Sequence, residues 1–307
     1  MLTKEELEKY YKAGEIVRKA LEKAYDLVKP GAKVLDICRQ LEEYILSQGA
    51  RPAFPVNISI NSVAAHYTAK IDDELVIPEK AIVKVDVGAH IDGYIVDAAV
   101  TVCLNPVYEP LVRAAYEALK VVREVLRAGL SLCKIGSYIE KTIRAHGFKP
   151  IENLTGHLIR RYELHAGKSI PNVDNGDERK VLPGEIYAIE PFATDGKGLV
   201  KDYQEFTIFR IIATPKKALK KYRDLILSIQ EVSRGLPFSP RWLVGKVSLS
   251  KEELIKNIMK LVEENVLYAY PVLVEESNGI VAQFEDTFII KENGCEELAH
   301  TIDIVRR

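Results

Sequence analysis

Five residues in this 307-residue chain have side chains suited to holding metal ions, each in a strand-like segment or beside a glycine: Asp86, Asp97, His157, Glu190 and Glu285. Four carboxylates and one imidazole, with no cysteine among them, make a hard, oxygen-rich donor set. Such a set suits two divalent cations better than one structural zinc. The chemistry it points to is hydrolysis at a two-metal centre.

Asp86 and Asp97 flank the stretch VDVGAHIDGYIVDAAV, whose Asp92-Gly93 pair signals a tight hairpin turn. With Ile91-Asp92 central, residues 86 and 97 pair directly; with Asp92-Gly93 central, residue 86 pairs with 99 and the two acids are diagonal neighbours. Either register puts both carboxylates on one face, where they repel unless a cation lies between them. Val83, Val85, Ile95 and Val100 around them weigh against a solvent-facing strand. A lone histidine is more often an ordinary core residue than a ligand. His157 and His165, however, both lie near glycines in NLTGHLIRRYELHAGKSIPN, in a chain with only six histidines. Glu190 closes the apolar run EIYAIEPF and Glu285 interrupts VAQFEDTF, so each must meet a cation or face water.

Helices must frame these strands. Thr3 and Glu6 form a capping box ahead of a helical pattern through Leu7, Tyr10, Val17, Ala20, Ala24 and Leu27, which Pro30-Gly31 stops. A second helical pattern runs from Val34 through Ile45 to Gly49. The segment PGAKVLDICRQLEEYILSQGARP recurs as AGLSLCKIGSYIEKTIRAHGFKP: Gly31/Gly129, Ile37/Ile135, Glu42/Glu140, Ile45/Ile143, Gly49/Gly147 and Pro52/Pro150 all match at an offset of 98. Each copy leads to a histidine, His66 or His165, and then to an apolar strand carrying an acid, Asp86 or Glu190. This implies two αβ halves with acids from both meeting at the seam. Residues 213–268 break the pattern. A basic opening (Lys216, Lys217, Lys220, Lys221, Arg223) leads into one helix through Leu219, Tyr222, Leu225, Ile229 and Val232, and Ser250 with Glu253 boxes the start of another.

A net charge of -1 and a pI near 6.6 give no overall pull toward nucleic acid or membrane. The N-terminus is too charged for a signal peptide, and no run of about 18 apolar residues occurs. Cys38, Cys103, Cys133 and Cys295 lack CxxC spacing, which fits reduced thiols in the cytoplasm.

The segments FPVNISINSVAAHYTA, VDVGAHIDGYIVDAAV, LTGHLIRRYELHAGKSIPN, YAIEPFAT and YPVLVEESNGIVAQFED closely resemble the type 2 methionine aminopeptidases, over essentially the whole chain. The resemblance implies an α+β pita-bread fold, with pseudo-twofold αβ halves around a curved antiparallel sheet. Residues 1–212 and 269–307 would form the catalytic domain, and 213–268 the inserted helical, winged-helix-like subdomain typical of type 2. It further implies removal of the initiator methionine from nascent proteins, preferring a small second residue, by attack of a water shared by two divalent ions (Co, Mn, Fe or Zn) on the first peptide bond. In that scheme Asp97 and Glu285 bridge both metals, Asp86 completes one site, and His157 with Glu190 completes the other. Glu190 serves as general acid/base, His66 and His165 contact the substrate, and Phe54, Leu164 and Tyr270 line the methionine pocket. A monomer is the default, and no membrane or specific nucleic-acid partner is expected. The basic opening of the insertion reads as a solvated face, with transient ribosome contact as the other reading. Two departures stand out: Asp286 occupies a place where the family commonly has His, and Thr155 one where Ser is frequent. Asp286 is expected to add negative charge near the metals. The competing readings are a prolidase or Xaa-Pro aminopeptidase of the same fold, and an inactive ribosome- or RNA-binding homologue.

Overall fold

Thr3 caps α1 (Lys4–Leu27) through the expected box, its Oγ1 accepting from Glu6 N at 3.3 Å while Glu6 Oε2 accepts from Thr3 N at 2.7 Å. The computed structural model describes residues 2–305; Met1, Arg306 and Arg307, at the limits of the expected catalytic domain, lie outside the described residues. The buried stripe of α1, including Tyr10, Ala13, Val17, Ala20, Leu21 and Ala24, packs on a long hairpin made by the strands Ile82–Ile91 and Tyr94–Cys103. Gly31, just after the helix, takes the left-handed backbone (φ 79°) that other residues adopt only with strain.

The repeat is visible as geometry. α2 (Val34–Ser47) and α4 (Leu132–Ala145) are 14 residues each and begin at the 98-residue offset. Each is followed by a left-handed glycine, Gly49 or Gly147, and then by a two-residue strand, Arg51–Pro52 or Lys149–Pro150. The next strands, Asn57–Ile60 and Thr155–Ile159, also begin at that offset. α3 (Glu109–Val125) packs on α4, and α1 on α2.

All strand pairings within the described residues are antiparallel. In the hairpin Ile91 pairs with Tyr94, leaving Asp92 (φ 50°) and Gly93 (φ 86°) as the two turn residues, as a primed turn requires. Asp86 therefore opposes Ala99, and Asp97 opposes Gly88, the diagonal one of the two expected registers. In the second half Thr155–Ile159, Ile186–Ile189 and Asp286–Lys291 lie side by side. The halves join where Ala99 and Glu285 exchange backbone hydrogen bonds of 3.2 and 3.0 Å.

The strands Val200–Ile211 and Leu267–Glu275 pair with each other and lead into and out of residues 213–268. The helices there are α5 (Lys216–Lys221), α6 (Arg223–Ser233) and α7 (Lys251–Glu263), the last opened by the expected Ser250–Glu253 box. The one helix expected across Leu219–Val232 is instead broken at Tyr222 (φ -124°, ψ 31°). The break lets Tyr222, Leu225 and Ile226 all bury in a local apolar cluster with Phe238, Leu243, Leu254, Ile258 and Leu261. Within the described residues the four cysteines form no disulfide, and no helix is long and apolar enough to cross a membrane.

A Cβ on Gly156 would overlap the carbonyl oxygen of Ala188 on the neighbouring strand. Gly156→Ala is expected to lower the unfolding free energy by about 1–3 kcal/mol, read from the urea midpoint, because the strands must separate to admit it.

Candidate metal centre

Residues directly opposed across antiparallel strands point to the same face. One such row runs Asn57, Asp86, Ala99, Glu285 across both halves. Asp97 lies two residues before Ala99 and so shares that face. A second row runs His157, Ala188, Thr287, and Glu190, two residues beyond Ala188, falls on the same side. Strand alternation thus brings all five candidate ligands to one place, although they are spread over residues 86–285.

His157 Nε2 stands 3.5 Å from Asp97 Oδ2 and 3.7 Å from Glu190 Oε1. One ligand atom each from Asp97, His157 and Glu285 lie within 4.8 Å of one another. Supporting residues hold the carboxylates in place. Thr287 Oγ1 accepts from Asp97 N at 2.8 Å and donates to Asp97 O at 2.7 Å. Gln283 Nε2 donates to Glu285 Oε2 at 3.0 Å, and the Gln283 backbone is itself tied to Thr101 Oγ1.

The electrostatics of the bare cluster are unfavourable. Burial pushes the Asp86 carboxyl up to about 7. Asp97 is held well above the usual carboxylate range by burial and then by the charges of Asp86 and Glu190. Glu190 and Glu285 are raised by burial first and by neighbouring acids second. His157 is held well below the ordinary histidine value, chiefly by burial, so it is a neutral imidazole. Asp86 Oδ1 and Asp97 Oδ1 are buried without a hydrogen-bond partner. Orphaned oxygens on mutually repelling acids, beside a neutral imidazole, are what divalent cations would satisfy, and four ionised carboxylates balance two such ions in charge. The residues fit a divalent-metal centre.

A single cleft is lined by these five residues together with His66, His165, Phe54, Leu164 and Tyr270, so every expected site residue converges there. His66 has a left-handed backbone (φ 66°), its Nδ1 lies 3.2 Å from Pro271 O, and its ring meets Tyr270 edge-on at 5.5 Å. His165 meets the His157 ring at 4.4 Å; burial, followed by the charges of His66 and Arg210, lowers its pKa to about 4. A Cβ on Gly88 would collide with the Phe54 ring, so that glycine lets the ring lie against the hairpin.

The cleft also includes Asn57, Ala65, Ile208 and Pro237, which sequence reasoning missed. Asn57 carried a signal, because it is polar at an inward position of the strand NISI. Its Nδ2 donates to Pro55 O at 2.8 Å, and its buried Oδ1 has no hydrogen-bond partner. Pro237 carried no signal, because a loop residue has no periodicity to read. Asp286 adds negative charge to the field at Asp97 and Glu285, as expected, without joining the cluster itself. Its carboxylate takes three backbone N–H groups instead, from Thr287 (2.7 Å), Ala299 (2.9 Å) and Thr301 (2.7 Å). Alternation turns it away from Glu285, and its charge reaches Asp97 and Glu285 only as a field.

Residues 8–292 match the model for metallopeptidase family M24. The chain belongs to this family. A methionine aminopeptidase of Saccharolobus solfataricus is 48% identical to this M24 chain over 291 residues, covering 94% of this chain and 96% of its own length. Further methionine aminopeptidases match at 40–45% identity. The solved methionine aminopeptidase of Thermotoga maritima superposes with a TM-score of 0.70 at 25% identity, covering 97% of this chain and 98% of that one. A thermophilic Arx1 structure superposes at 0.83 with 22% identity, covering 100% of this chain and 95% of that one, a likeness of fold alone. Prolidase structures share the fold at 0.64 and 0.63. The architecture is thus the α+β pita-bread fold of M24, and membership of this metallopeptidase family implies a divalent metal.

Two measurements check the centre. At a thousandfold excess over Kd, metal is expected to stabilise the protein by about 4 kcal/mol, seen as a rise in Tm with Mn or Co that a chelator reverses. In metal-free protein the raised Asp86 carboxyl keeps its proton to about pH 7. The unfolded chain loses that proton near pH 4, so this contribution to stability is full below about pH 4 and is lost as pH rises toward 7. Urea unfolding of chelated protein should show that fall between about pH 4 and 7, and Asp86→Asn should remove only the share due to Asp86, because Asp97, Glu190 and Glu285 are raised as well.

Proposed function

We propose that this chain removes the N-terminal methionine from newly made proteins, preferring a small second residue. Convergence of five ligand-type residues, two neutral histidines and the apolar walls Phe54, Leu164 and Tyr270 in one cleft carries the reading. Relatedness along 94% of the chain to a methionine aminopeptidase supports it.

In this reading Asp86, Asp97, His157, Glu190 and Glu285 would hold two divalent ions, of Mn, Fe, Co or Zn. When bound, such ions supply Lewis-acid polarisation and acidify water. Glu190 takes the proton of the attacking water and returns it to the leaving amine. Pro271 O can only accept, so His66 Nδ1 carries the proton and Nε2 is left as an acceptor for the scissile peptide N–H. Neutral His165 donates its N–H to the carbonyl oxygen as charge develops there. Phe54, Leu164 and Tyr270 pack on the thioether side chain.

We further read residues 1–212 with 269–307 as the catalytic domain and 213–268 as an inserted subdomain, a division supported by the insertion's own apolar cluster. The four unpaired cysteines support a cytoplasmic setting, with the protein a monomer. The lysines of α5 are read as a solvated face rather than a ribosome-binding one. A prolidase reading is weakened by the contrast between 48% identity to a methionine aminopeptidase and 20% to a prolidase.

Metal-stripped protein reloaded with Mn or Co is expected to release methionine from Met-Ala-Ser and nothing from Ala-Pro. Turnover of Ala-Pro instead would move it to the prolidases, and inertness with every metal would favour a binding protein. Glu285→Ala should lose both bound metal and activity. His165→Ala should lower kcat by about 10²–10³ with metal content unchanged, as loss of one oxyanion donor does.

A further inference from the structure

Glu42 lies on α2, outside the metal centre, with only 5% of the residue exposed. A buried carboxylate is tolerated when its oxygens are engaged. Here Arg241 Nη1 donates to Oε2 at 2.6 Å and Nη2 to Oε1 at 2.8 Å, a two-pronged contact. Trp242 Nε1 donates to Oε2 at 2.9 Å and Val56 N to Oε1 at 3.2 Å. Arg241 also donates from Nε to Ala69 O at 3.0 Å and from Nη2 to Thr68 Oγ1 at 3.0 Å. Thr68 Oγ1 in turn donates to Val56 O at 2.7 Å.

Each segment gathered by this pair carries a wall of the cleft. Val56 lies between Phe54 and Asn57, Thr68 and Ala69 follow His66, and Arg241 lies four residues beyond Pro237. The Pro237 segment is fixed on its other side as well, because Phe238 and Phe209 exchange backbone hydrogen bonds of 2.7 and 2.8 Å next to the cleft residue Ile208. Two neighbouring segments of the body and one distant in the chain, from the insertion, are thus spaced by one carboxylate and one guanidinium.

We infer that Glu42 and Arg241 are positioning residues that set the shape of the cleft for the substrate's first side chain, and with it the selectivity for that side chain. The inference rests on reading the cleft as a methionine pocket. Neither residue touches the substrate in this scheme; they act through Phe54, Asn57, His66 and Pro237. A planar guanidinium against a carboxylate fixes both separation and angle, which neither lysine nor an apolar pair does. An apolar replacement can match a buried ion pair in stability, so selectivity and stability are separable by experiment.

The test uses the full, metal-loaded chain as wild type, Glu42→Gln, Arg241→Lys and the apolar double variant Glu42→Leu/Arg241→Met. For each, kcat and KM are measured on Met-Ala-Ser, Leu-Ala-Ser and Phe-Ala-Ser, alongside metal content and Tm. The expected result is a rise of about tenfold in KM for Met-Ala-Ser, kcat within about threefold, and a fall of at least about fivefold in the Met-over-Leu ratio of kcat/KM, with metal content unchanged. The double variant should recover Tm without recovering the ratio. Wild-type ratios in every variant that folds, whatever happens to Tm, would reduce the pair to a structural staple and overturn the inference. Loss of metal and kcat at a constant ratio would overturn it too, by placing the effect at the metal centre. Failure of the wild type itself to release methionine would instead bring down the reading of the cleft on which the inference rests.

Discussion

Repulsion among four carboxylates, two of them buried and two half-buried, is the constraint around which this molecule is organised. Asp86, Asp97, Glu190 and Glu285 share a space in which burial raises each one's affinity for protons, and neighbouring acids raise it further for Asp97, Glu190 and Glu285. A loose arrangement would relieve that strain by turning side chains toward water. The backbone forbids it: Asp97 is fastened to Thr287 at both its N–H and its C=O, and Gln283 holds Glu285. The sheet therefore keeps the acids in an unfavourable state that cations resolve, so affinity for metal and rigidity of the scaffold are two aspects of one design.

The duplication explains how a single chain builds such a centre. Each half supplies a helix, a left-handed glycine and a strand pair ending near an acid, and the halves meet edge to edge at Ala99 and Glu285. Because opposed residues share a face, the row from Asn57 to Glu285 crosses the seam without interruption. Residues 213–268 supply none of the five candidate ligands. They add Pro237 to the cleft wall and are tied to the body through Glu42.

Much of this was legible in the residues. The Thr3–Glu6 and Ser250–Glu253 boxes, the 98-residue repeat and the Asp92-Gly93 turn are local or periodic signals, and each appears in the fold as read. The five residues that converge in the cleft were legible as candidates, because acids inside apolar strands are costly and so conspicuous. Less was legible where the cause lies in tertiary contact. The hairpin register was open between two choices until the turn geometry selected one. The break at Tyr222 answers to packing within the insertion, which helical periodicity cannot register. The charge that Asp286 adds near Asp97 and Glu285 was legible, but the backbone groups its carboxylate engages were not. Adjacent strand residues point to opposite faces, and its oxygens bind the backbone of the Ala299–Thr301 segment.

The seam between Ala99 and Glu285 also sets an order of assembly. A ribosome makes the hairpin carrying Asp86 and Asp97 early, yet those acids have no complete set of companions until the strand beginning at Asp286 has been made and has docked. Closing a contact of such long sequence separation is entropically slow. The unfinished chain thus passes through a stage in which its helices can form but its hydrolytic centre cannot. A peptidase wired in this way stays silent until the strand beginning at Asp286 has been made and docked.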